Sequence, residues 1–352
     1  MIEHSDLRAA VGSGLLTEQQ AAGLISLSDS RRGARENLAP GDEPFEVFKG
    51  FNEIFIVIGL VILSFGWMGV VTLALGEEIL DLKRYAVITA SIGAGVLWLL
   101  SEYFIRKRRM IAPAFALSVM FAGNAAFGFL VQMTHPFMFP QNDYSSVPFP
   151  LFLATLSLLI YWWRFRVPFA MAMIAVGLFA VAIVFTANQG GQVQELSDLF
   201  LLSAGGPFAW ITLALGLIVF AIAMAFDMSD PHRVTRRSAN GFWLHVVAAP
   251  ALVNTLALSL LENDSDIILL GVLTLFALVA IIIDRRSFLI AAIGYIVTLA
   301  ATILDGDGAA LTVLILGVVL LLLGTFWEKI RARILRLLPA FIPLRRLPPS
   351  QV

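Results

Sequence analysis

The sequence predicts an all-α polytopic membrane bundle of about ten transmembrane helices, with both termini in the cytoplasm. Three observations predict this fold class. The chain of 352 residues is 59% hydrophobic and only 14% charged, whereas soluble proteins carry about 25% charged residues. Ten apolar stretches approach the length of about 20 helical residues that crosses the hydrocarbon core. Basic residues recur in alternate connections, as the orientation of membrane helices requires.

The ten apolar stretches define the predicted transmembrane bundle, residues 49–328. The fourth stretch is short and begins among prolines, but removing it would disrupt the alternation of charge. The chain has no cysteine, which excludes disulfides and thiolate chemistry. The ten stretches are 51–76, 85–105, 110–133, 149–163, 168–187, 207–226, 241–261, 267–283, 287–304 and 309–327.

The basic residues predict the orientation of the bundle, because lysine and arginine are enriched in cytoplasmic loops. With the N-terminus inside, Lys83 and Arg84 are the only two of the 24 basic residues on the outer side. The outer loops are acidic instead. An even number of spans then places both termini inside. The first fifty residues are mostly polar and lack the features of a signal peptide. We therefore expect a multi-pass protein of the bacterial cytoplasmic (inner) membrane.

Residues 1–48 are predicted to form a small cytoplasmic helical segment and linker. Thr17 and Gln20 have the spacing of a capping box, in which two side chains satisfy the backbone at the start of a helix. Residues 30–44 are polar and contain glycine and proline, which predicts a linker. Two interpretations are open: a short appendage, or a docking element for a protein partner.

Residues 329–352 are predicted to form a basic amphipathic cytoplasmic tail. A helix over this segment would place apolar residues on one face and basic residues on most of the rest. Such a helix favours the anionic surface of the inner leaflet. The alternative is a plain extension of the tenth span. The apolar face consists of Ile330, Ile334, Leu337 and Leu338.

Small residues at four-residue spacing predict close packing among the first three spans, because they let helix backbones approach each other. The third and seventh spans each follow a pair of arginines and carry an asparagine, Asn124 and Asn254. This similarity is a hint of an internal repeat. The small residues include Ala114, Ser118, Ala122 and Ala126, then Ala86, Ala90 and Ala94, and Gly59, Gly66 and Gly69.

The candidate polar site centres on His245, because ionisable groups inside a bilayer are costly and by default indicate function. We hypothesise that His245 faces Glu53 or Glu102 in a polar pocket open to the cytoplasm, where its protonation would change near neutral pH. Structural explanations stand beside this one. Glu102 can pair with Arg106 one turn later, Glu53 can favour the dipole of its own helix, and Asp227 can face loop arginines.

Three further residues of the seventh and third spans complete the candidate site. Pro250 predicts a helix break, since it deprives the carbonyl of Val246 of its partner, and that carbonyl must be satisfied in hydrocarbon. Asn124 and Asn254 lie near mid-membrane depth. An asparagine there commonly bonds a neighbouring helix, with a gain of about 1 kcal/mol, and each is the natural partner of the other by depth.

The sequence predicts no enzyme. The four histidines have no metal-ligand spacing, and no nucleotide-binding motif occurs. We therefore expect no catalytic residue, metal site, cofactor or nucleic-acid partner. The expected partners are the lipid bilayer, a small solute or lipid, and a protein bound at the N-terminal segment.

The segments "LRAAVGSGLLTEQQAAGLI" and "FNEIFIVIGLVIL" resemble those of bacterial polytopic membrane proteins classed as domains of unknown function. That family pairs a short helical N-terminal segment with a multi-span region, and the resemblance covers the layout of most of the chain. It implies no activity. Two function classes follow from the whole sequence. The first is a transporter or permease-like protein for a small solute or lipid. The alternative is a non-transporting scaffold or sensor whose N-terminal segment binds a partner.

Overall fold

A computed structural model shows that the chain is mostly helical in the residues that it describes. These are residues 4–31, 51–76, 82–135, 138, 143–189, 196–202, 206–263, 266–286, 307–339 and 343–349. Their α-helices are α1 (His4–Gly12), α2 (Glu18–Arg31), α3 (Phe51–Gly76), α4 (Leu82–Ser101), α5 (Ala112–Met133), α6 (Pro148–Phe165), α7 (Pro168–Ala187), α8 (Phe208–Met228), α9 (Arg236–Glu262), α10 (Asp266–Ile283) and α11 (Asp307–Leu337). A π-helix, Glu102–Lys107, continues α4, and two 3-10 turns cover Leu196–Leu199 and Leu344–Arg346.

Six helical segments of the described residues are long and apolar enough to cross a membrane. This confirms a helical protein with apolar membrane-length helices. The fourth and tenth predicted spans correspond to α6 and to part of α11, and the eighth is a shorter apolar helix in the structure. The ninth, residues 287–304, lies outside the described residues. The six segments are Phe51–Leu73, Lys83–Lys107, Ala112–Met133, Pro168–Ala187, Phe208–Met228 and Arg236–Glu262.

The chain divides into two compact units, where the sequence predicts a single bundle over residues 49–328. The α3–α7 unit spans Pro44–Val193. The α8–α11 unit combines Met1–Glu43, which includes α1 and α2, with Gln194–Val352. The N-terminal helices α1 and α2 are therefore grouped with α8–α11.

Helices α4 and α5 pack closely in the α3–α7 unit, as their small residues predict. A Cβ atom added at Gly93 would overlap the amide of Asn124, and one added at Gly128 would lie 2.7 Å from the Cβ of Ala90. The first span behaves differently. A Cβ built at Gly59, Gly66 or Gly69 would meet no heavy atom of another element within 4 Å. The close backbone contact is thus between α4 and α5 and does not use the glycines of α3.

Aromatic side chains fill the core of the α3–α7 unit between α4, α5 and α6. The ring of Trp98 lies 4.9 Å from Phe165 and 6.2 Å from Tyr161. Tyr161 is fully buried, and its hydroxyl shares a 2.8 Å hydrogen bond with the hydroxyl of Ser101. This bond satisfies the polar end of an otherwise apolar side chain.

Helix α9 forms the centre of the α8–α11 unit and packs along α8 and α10. A Cβ added at Gly216 of α8 would lie 3.1 Å from Ala251, so the two helices touch through small residues. Apolar residues of α9 and α10, such as Val253 and Leu273, form the buried core. Pro250 lies inside α9 on its exposed side, and the helix continues past it to Glu262.

The structure describes residues 329–339 and 343–349 of the predicted amphipathic tail. Helix α11 continues to Leu337 after a non-helical residue, Phe326. Leu337, which belongs to the predicted apolar face, is exposed, whereas Arg331 is fully buried. Arg331 therefore departs from the expected exposed basic face, because it binds backbone carbonyls described below, while the amphipathic helix on the membrane surface stays a prediction.

Four connections between helices contain a non-glycine residue in the left-handed conformation. They join α4 to α5, join α6 to α7, join α8 to α9, and follow α10. A side chain in this conformation is unfavourable by about 1–2 kcal/mol relative to the right-handed one. These are the four loops that the basic residues assign to the cytoplasm. The residues are Arg109, Arg166, Arg233 and Asp284, with φ between 53° and 57°.

Candidate functional site

A buried cluster of three ionisable side chains lies at the end of α8. Asp227 is the last carboxylate of α8, His245 lies on the third turn of α9, and Arg285 follows α10. The Nε2 atom of His245 donates to Oδ2 of Asp227 across 2.9 Å. The Nε atom of Arg285 donates to the same oxygen, also across 2.9 Å, and its NH2 group donates to Oδ1. One carboxylate thus joins three helical elements.

Burial makes this cluster electrostatically strong. The exposed fractions of the side chains are 0% for His245, 5% for Asp227 and 1% for Arg285. Removing charges from water is expensive, so a buried ion pair persists only with good geometry and further hydrogen bonds. Arg285 meets this condition, since it also donates to the carbonyl of Ser238 across 3.0 Å. Burial lowers the pKa of Arg285 to about 9, which leaves it charged at neutral pH.

Two aromatic rings and a glycine contact the cluster directly. The ring of Phe220 meets the imidazole of His245 edge to face at 5.4 Å, and Arg285 lies over the ring of Phe242 at 5.9 Å. Gly241 faces the carboxylate directly. A Cβ there would overlap Oδ1 of Asp227 and lie 3.2 Å from the carbonyl oxygen of Ala223. Glycine is therefore the residue that lets α9 approach the carboxylate.

The loop between α8 and α9 is organised by a second buried carboxylate, Asp230. Its oxygens accept hydrogen bonds from the backbone of Val234 and Thr235 and from the hydroxyl of Thr235. The backbone N–H of Ser238 also donates to it, across 3.4 Å. Ser238 is the residue whose carbonyl accepts from Arg285. The loop and the buried cluster are therefore connected through one residue.

The N-terminal hairpin, α1 and α2, is docked on this loop. Ala21 and Ala22 are buried against Val234, and Nε of Arg8 donates to the carbonyl of Val234 across 3.1 Å. Partial burial and the nearby Asp230 raise the pKa of Glu18. The predicted capping box at the start of α2 is confirmed, because the N–H of Thr17 donates to the Gln20 side chain and the N–H of Gln20 donates to the Thr17 hydroxyl.

A second set of arginines closes the end of α10. Arg233 pairs with Asp284 at 2.9 Å, and the indole N–H of Trp327 donates to the same carboxylate across 2.7 Å. Arg331 donates to carbonyls at the end of α10 and to carbonyls of the returning C-terminal segment. Helix ends leave such carbonyls without intrahelical partners, so arginines supply the missing donors. The acceptors of Arg331 are Ile281, Ile282, Pro348 and Pro349.

Glu53 and Glu102, the other ionisable members of the predicted site, have different partners. Both lie in the α3–α7 unit, whereas His245 lies in the α8–α11 unit. Glu53 is buried and accepts the backbone N–H groups of Ile111 and Ala112 at the start of α5. It thus caps another helix, where its charge favours the helix dipole. Glu102 pairs with Arg106, as its spacing predicts, and with Arg164 of α6 at 2.7 Å.

The two asparagines of the predicted site also lie in different units. Asn124 donates from its amide nitrogen to the carbonyl of Ala90 across 2.8 Å, so it fastens α5 to α4. Asn254 lies half-buried on α9, one turn after Pro250. Asn124 thus makes the interhelical bond that the sequence predicts, but its partner is a backbone carbonyl and not Asn254.

Sequence reasoning missed Arg285, Arg331 and Asp230, which are all buried. A basic pair in a loop indicates the cytoplasmic side and does not by itself indicate a buried role. The expectation that Asp227 can face loop arginines is confirmed, since Arg285 is one of them, but the sequence does not single it out. Among the described residues, no group of three or more histidine and acidic side chains is arranged to hold a metal ion. The cluster places an imidazole and a guanidinium on one buried carboxylate.

No protein family model, no curated protein and no solved structure matches this chain. The fold and the site define a helical protein whose apolar helices are long enough to cross a membrane. Within it, a buried Asp–His–Arg cluster lies next to a docked N-terminal hairpin.

Proposed function

We propose that this protein is a ten-span protein of the bacterial cytoplasmic membrane with both termini in the cytoplasm. Support comes from the six membrane-length helical segments and from the distribution of basic residues. The four left-handed turns all belong to connections on the proposed inner side.

The absence of cysteine allows a direct topology experiment. Single cysteines at Gln19, on α2, and at Asp143, before α6, are both at exposed positions. A membrane-impermeant maleimide should label Asp143→Cys in intact spheroplasts, and should label Gln19→Cys only after lysis. Labelling of Gln19→Cys in intact spheroplasts would contradict the proposed orientation.

We propose further that the protein is a membrane scaffold or sensor that does not transport, with its N-terminal hairpin as the output element. The observation that supports this proposal is a continuous series of hydrogen bonds. It runs from His245 through Asp227 and Arg285 to Ser238 and the docking loop. A change at His245 therefore acts on the loop that holds the hairpin. The cluster is fully buried, which suits a switch better than a binding site for a solute.

The proposed coupling can be measured at Ala22, which is buried against the docking loop. In an Ala22→Cys background, the rate of labelling by a water-soluble maleimide reports how often the hairpin opens. His245→Ala should raise this rate about tenfold if opening becomes about 1.4 kcal/mol easier. Asp143→Asn, an exposed change elsewhere, is the control and should leave the rate unchanged. Equal rates in all three proteins would refute the coupling.

The hairpin also carries the surface for the proposed protein partner. Leu15, Leu24 and Leu27 are exposed apolar side chains on a small cytoplasmic element, and such residues in a cluster mark interaction sites. Photo-crosslinking from Gln19 in cells should give one discrete product. Leu24→Ser should reduce that product, and Thr17→Ser, which keeps the capping hydroxyl, should not.

A transporter or permease-like protein for a small solute or lipid is the second candidate function. It is favoured by the presence of a histidine, a carboxylate and a guanidinium between three helical elements at the membrane boundary. Transport requires water to reach the middle of α9 in at least one state. Asn254→Cys should then react with a charged thiol reagent. If the protein is a scaffold or sensor, Asn254→Cys should not react with this reagent. Metabolite or lipid profiling of a deletion strain should then show no accumulated cargo.

A further inference from the structure

The inner end of the α3–α7 unit carries an unusual concentration of exposed basic side chains. The π-helix that ends α4 runs directly into Arg108 and the left-handed Arg109, and the nearby turn between α6 and α7 adds further arginines. Glu102 joins the two segments, since it pairs with both Arg106 and Arg164. We refer to Arg106, Lys107, Arg108, Arg109, Arg164 and Arg166 as the basic rim.

The basic rim keeps a large positive charge after its ion pairs are counted. Among the residues that the structure describes, its six cations are accompanied by two carboxylates, Glu53 and Glu102, which gives these eight side chains a net charge of +4. Glu53 is buried and bonded to backbone N–H groups. All six basic side chains are exposed. The rim therefore presents cations to whatever lies outside the unit.

Aromatic rings hold several of these cations in place. Nζ of Lys107 and the guanidinium of Arg108 lie 5.7 Å and 5.6 Å from the centre of the Tyr103 ring, and Nε of Arg108 donates to the Tyr103 hydroxyl. Arg166 lies 5.0 Å from the ring of Trp162. Tyrosine and tryptophan favour the headgroup level of a bilayer. The rings therefore keep the cations at the depth of the lipid headgroups.

Exposed apolar side chains begin within about one helical turn of the basic rim on α6 and about two turns from it on α4. Leu99 of α4 and Ile160 and Trp163 of α6 are exposed large apolar side chains. A soluble anion has no apolar groups that could contact such a surface. A molecule with an anionic head and apolar chains would contact both the rim and this surface.

We propose that the basic rim binds the headgroup phosphates of anionic phospholipids, whose acyl chains lie along Leu99, Ile160 and Trp163. The inference depends on the membrane location proposed above but not on the scaffold or sensor function. A cation near an anionic membrane surface gains about 1 kcal/mol, or roughly a fivefold increase in affinity. The π-helix is part of this site, because it contributes the exposed Arg106 and Lys107 and leads directly into Arg108 and Arg109.

The experiment measures lipid binding by the purified full-length chain in a neutral detergent. Native mass spectrometry with phosphatidylglycerol or phosphatidylcholine added gives the affinity for each lipid. Binding of phosphatidylglycerol should be clearly tighter. The variant Arg108→Gln/Arg166→Gln should bind phosphatidylglycerol roughly 30-fold more weakly. Arg108→Lys/Arg166→Lys keeps both charges and should retain most of the affinity.

A matched control removes two cations from the other end of the same unit. Lys83→Gln/Arg84→Gln should bind phosphatidylglycerol as the unmodified chain does. Equal weakening in the control and the rim variant would overturn the site, as would equal affinity for the two lipids. Displacement of phosphatidylglycerol by inorganic phosphate at similar concentration would overturn the lipid assignment in favour of a soluble phosphate. Failure of the topology experiment alone would leave these affinities unaffected, so the two proposals are tested separately.

Discussion

Asp227 shows how a single side chain can organise the end of a helix bundle. Its two oxygens accept hydrogen bonds from an imidazole and a guanidinium, and all three side chains are buried. Attraction between opposite charges is strong where the local dielectric constant is low. The same condition makes any missing partner expensive. The conformation around Asp227 should therefore be held tightly while its charge is present.

Asp227→Asn should destabilise the α8–α11 unit by about 3 kcal/mol, since it removes the carboxylate that faces the buried Arg285. The midpoint of thermal unfolding in detergent measures the effect. Asp143→Asn makes the same chemical change at an exposed position and should leave the midpoint unchanged. Similar midpoints for both variants would show that the cluster does not contribute to stability.

At this scale the sequence predicts which residues are unusual better than it predicts their partners. His245 stands out because it is ionisable within an apolar stretch. Its partner lies 18 residues earlier, and the arginine that completes the cluster lies 58 residues from Asp227. Only the packing of α8, α9 and α10 brings these positions together. No sequence period encodes that packing.

Helices α4 and α5 show how small residues determine the distance between two helices. Gly93→Ala should destabilise the α3–α7 unit by about 1–3 kcal/mol, because the new methyl group overlaps the Asn124 amide and forces the helices apart. Thermal unfolding in detergent is the measurement. Gly95→Ala, two residues away, faces open space and should change the stability by less than about 0.5 kcal/mol. Because alanine favours a helix more than glycine does, helix propensity alone would stabilise both variants, and an equal change in both would show that the contact with Asn124 does not decide the stability.

Helix α10 depends on an arginine from another helix for its C-terminal carbonyls. Arg331→Ala should destabilise the α8–α11 unit by about 3 kcal/mol, because several buried carbonyls lose their donor. It should also release the segment that contains Pro348 and Pro349. Faster proteolysis near that segment and a lower unfolding midpoint are the expected results. Arg333→Ala, at an exposed position of the same helix, should show neither.

The left-handed turns predict that a glycine should be more stable than an alanine at the same position. Arg109→Gly should be more stable than Arg109→Ala by about 1 kcal/mol, since glycine adopts positive φ without the steric penalty. Comparing the two variants cancels the loss of the arginine charge. Chemical denaturation of both proteins checks the difference. A more stable alanine variant would contradict a left-handed Arg109.

Individual helices are predicted well by apolar length, because crossing a bilayer imposes the same length on each of them. The start of α2 is also predictable, since a capping box is a local interaction of Thr17 and Gln20. The burial of Arg331 is not predictable in this way. An amphipathic pattern assigns arginines to the outside, and Arg331 is buried because it binds the carbonyl ends of other elements. Such a role becomes visible only when those ends are in place.

At the scale of the whole molecule, the sequence predicts one membrane bundle with a separate N-terminal appendage. The structure instead has two compact units, and α1 and α2 belong to the one that contains the chain after residue 193. Apolar stretches look alike wherever they occur, so their composition does not reveal which ones pack together. The docking of the hairpin depends on a few alanines and one loop valine, which carry no recognisable motif.

Ala22→Glu should release the hairpin while leaving the membrane helices folded, because it buries a charge against Val234 without a partner. Trypsin should then cleave within α1 and α2 more rapidly, and the unfolding midpoint of the membrane helices should change little. Gly23→Glu introduces the same charge next to it, where the surroundings are open, and should preserve resistance to trypsin. If both variants resisted trypsin, the contact between Ala22 and Val234 would not be what holds the hairpin.

The docking of the hairpin has a consequence for biogenesis. Arg8 and the carbonyl that it binds are separated by 226 positions along the chain. At a synthesis rate of about 5–20 residues per second, the ribosome needs roughly 10–45 s to cover that distance. During this interval α1 and α2 are outside the ribosome while their docking loop does not yet exist. The nascent chain therefore presents the alanine face of the hairpin to the cytoplasm, open to chaperones and targeting factors, before the finished protein covers it.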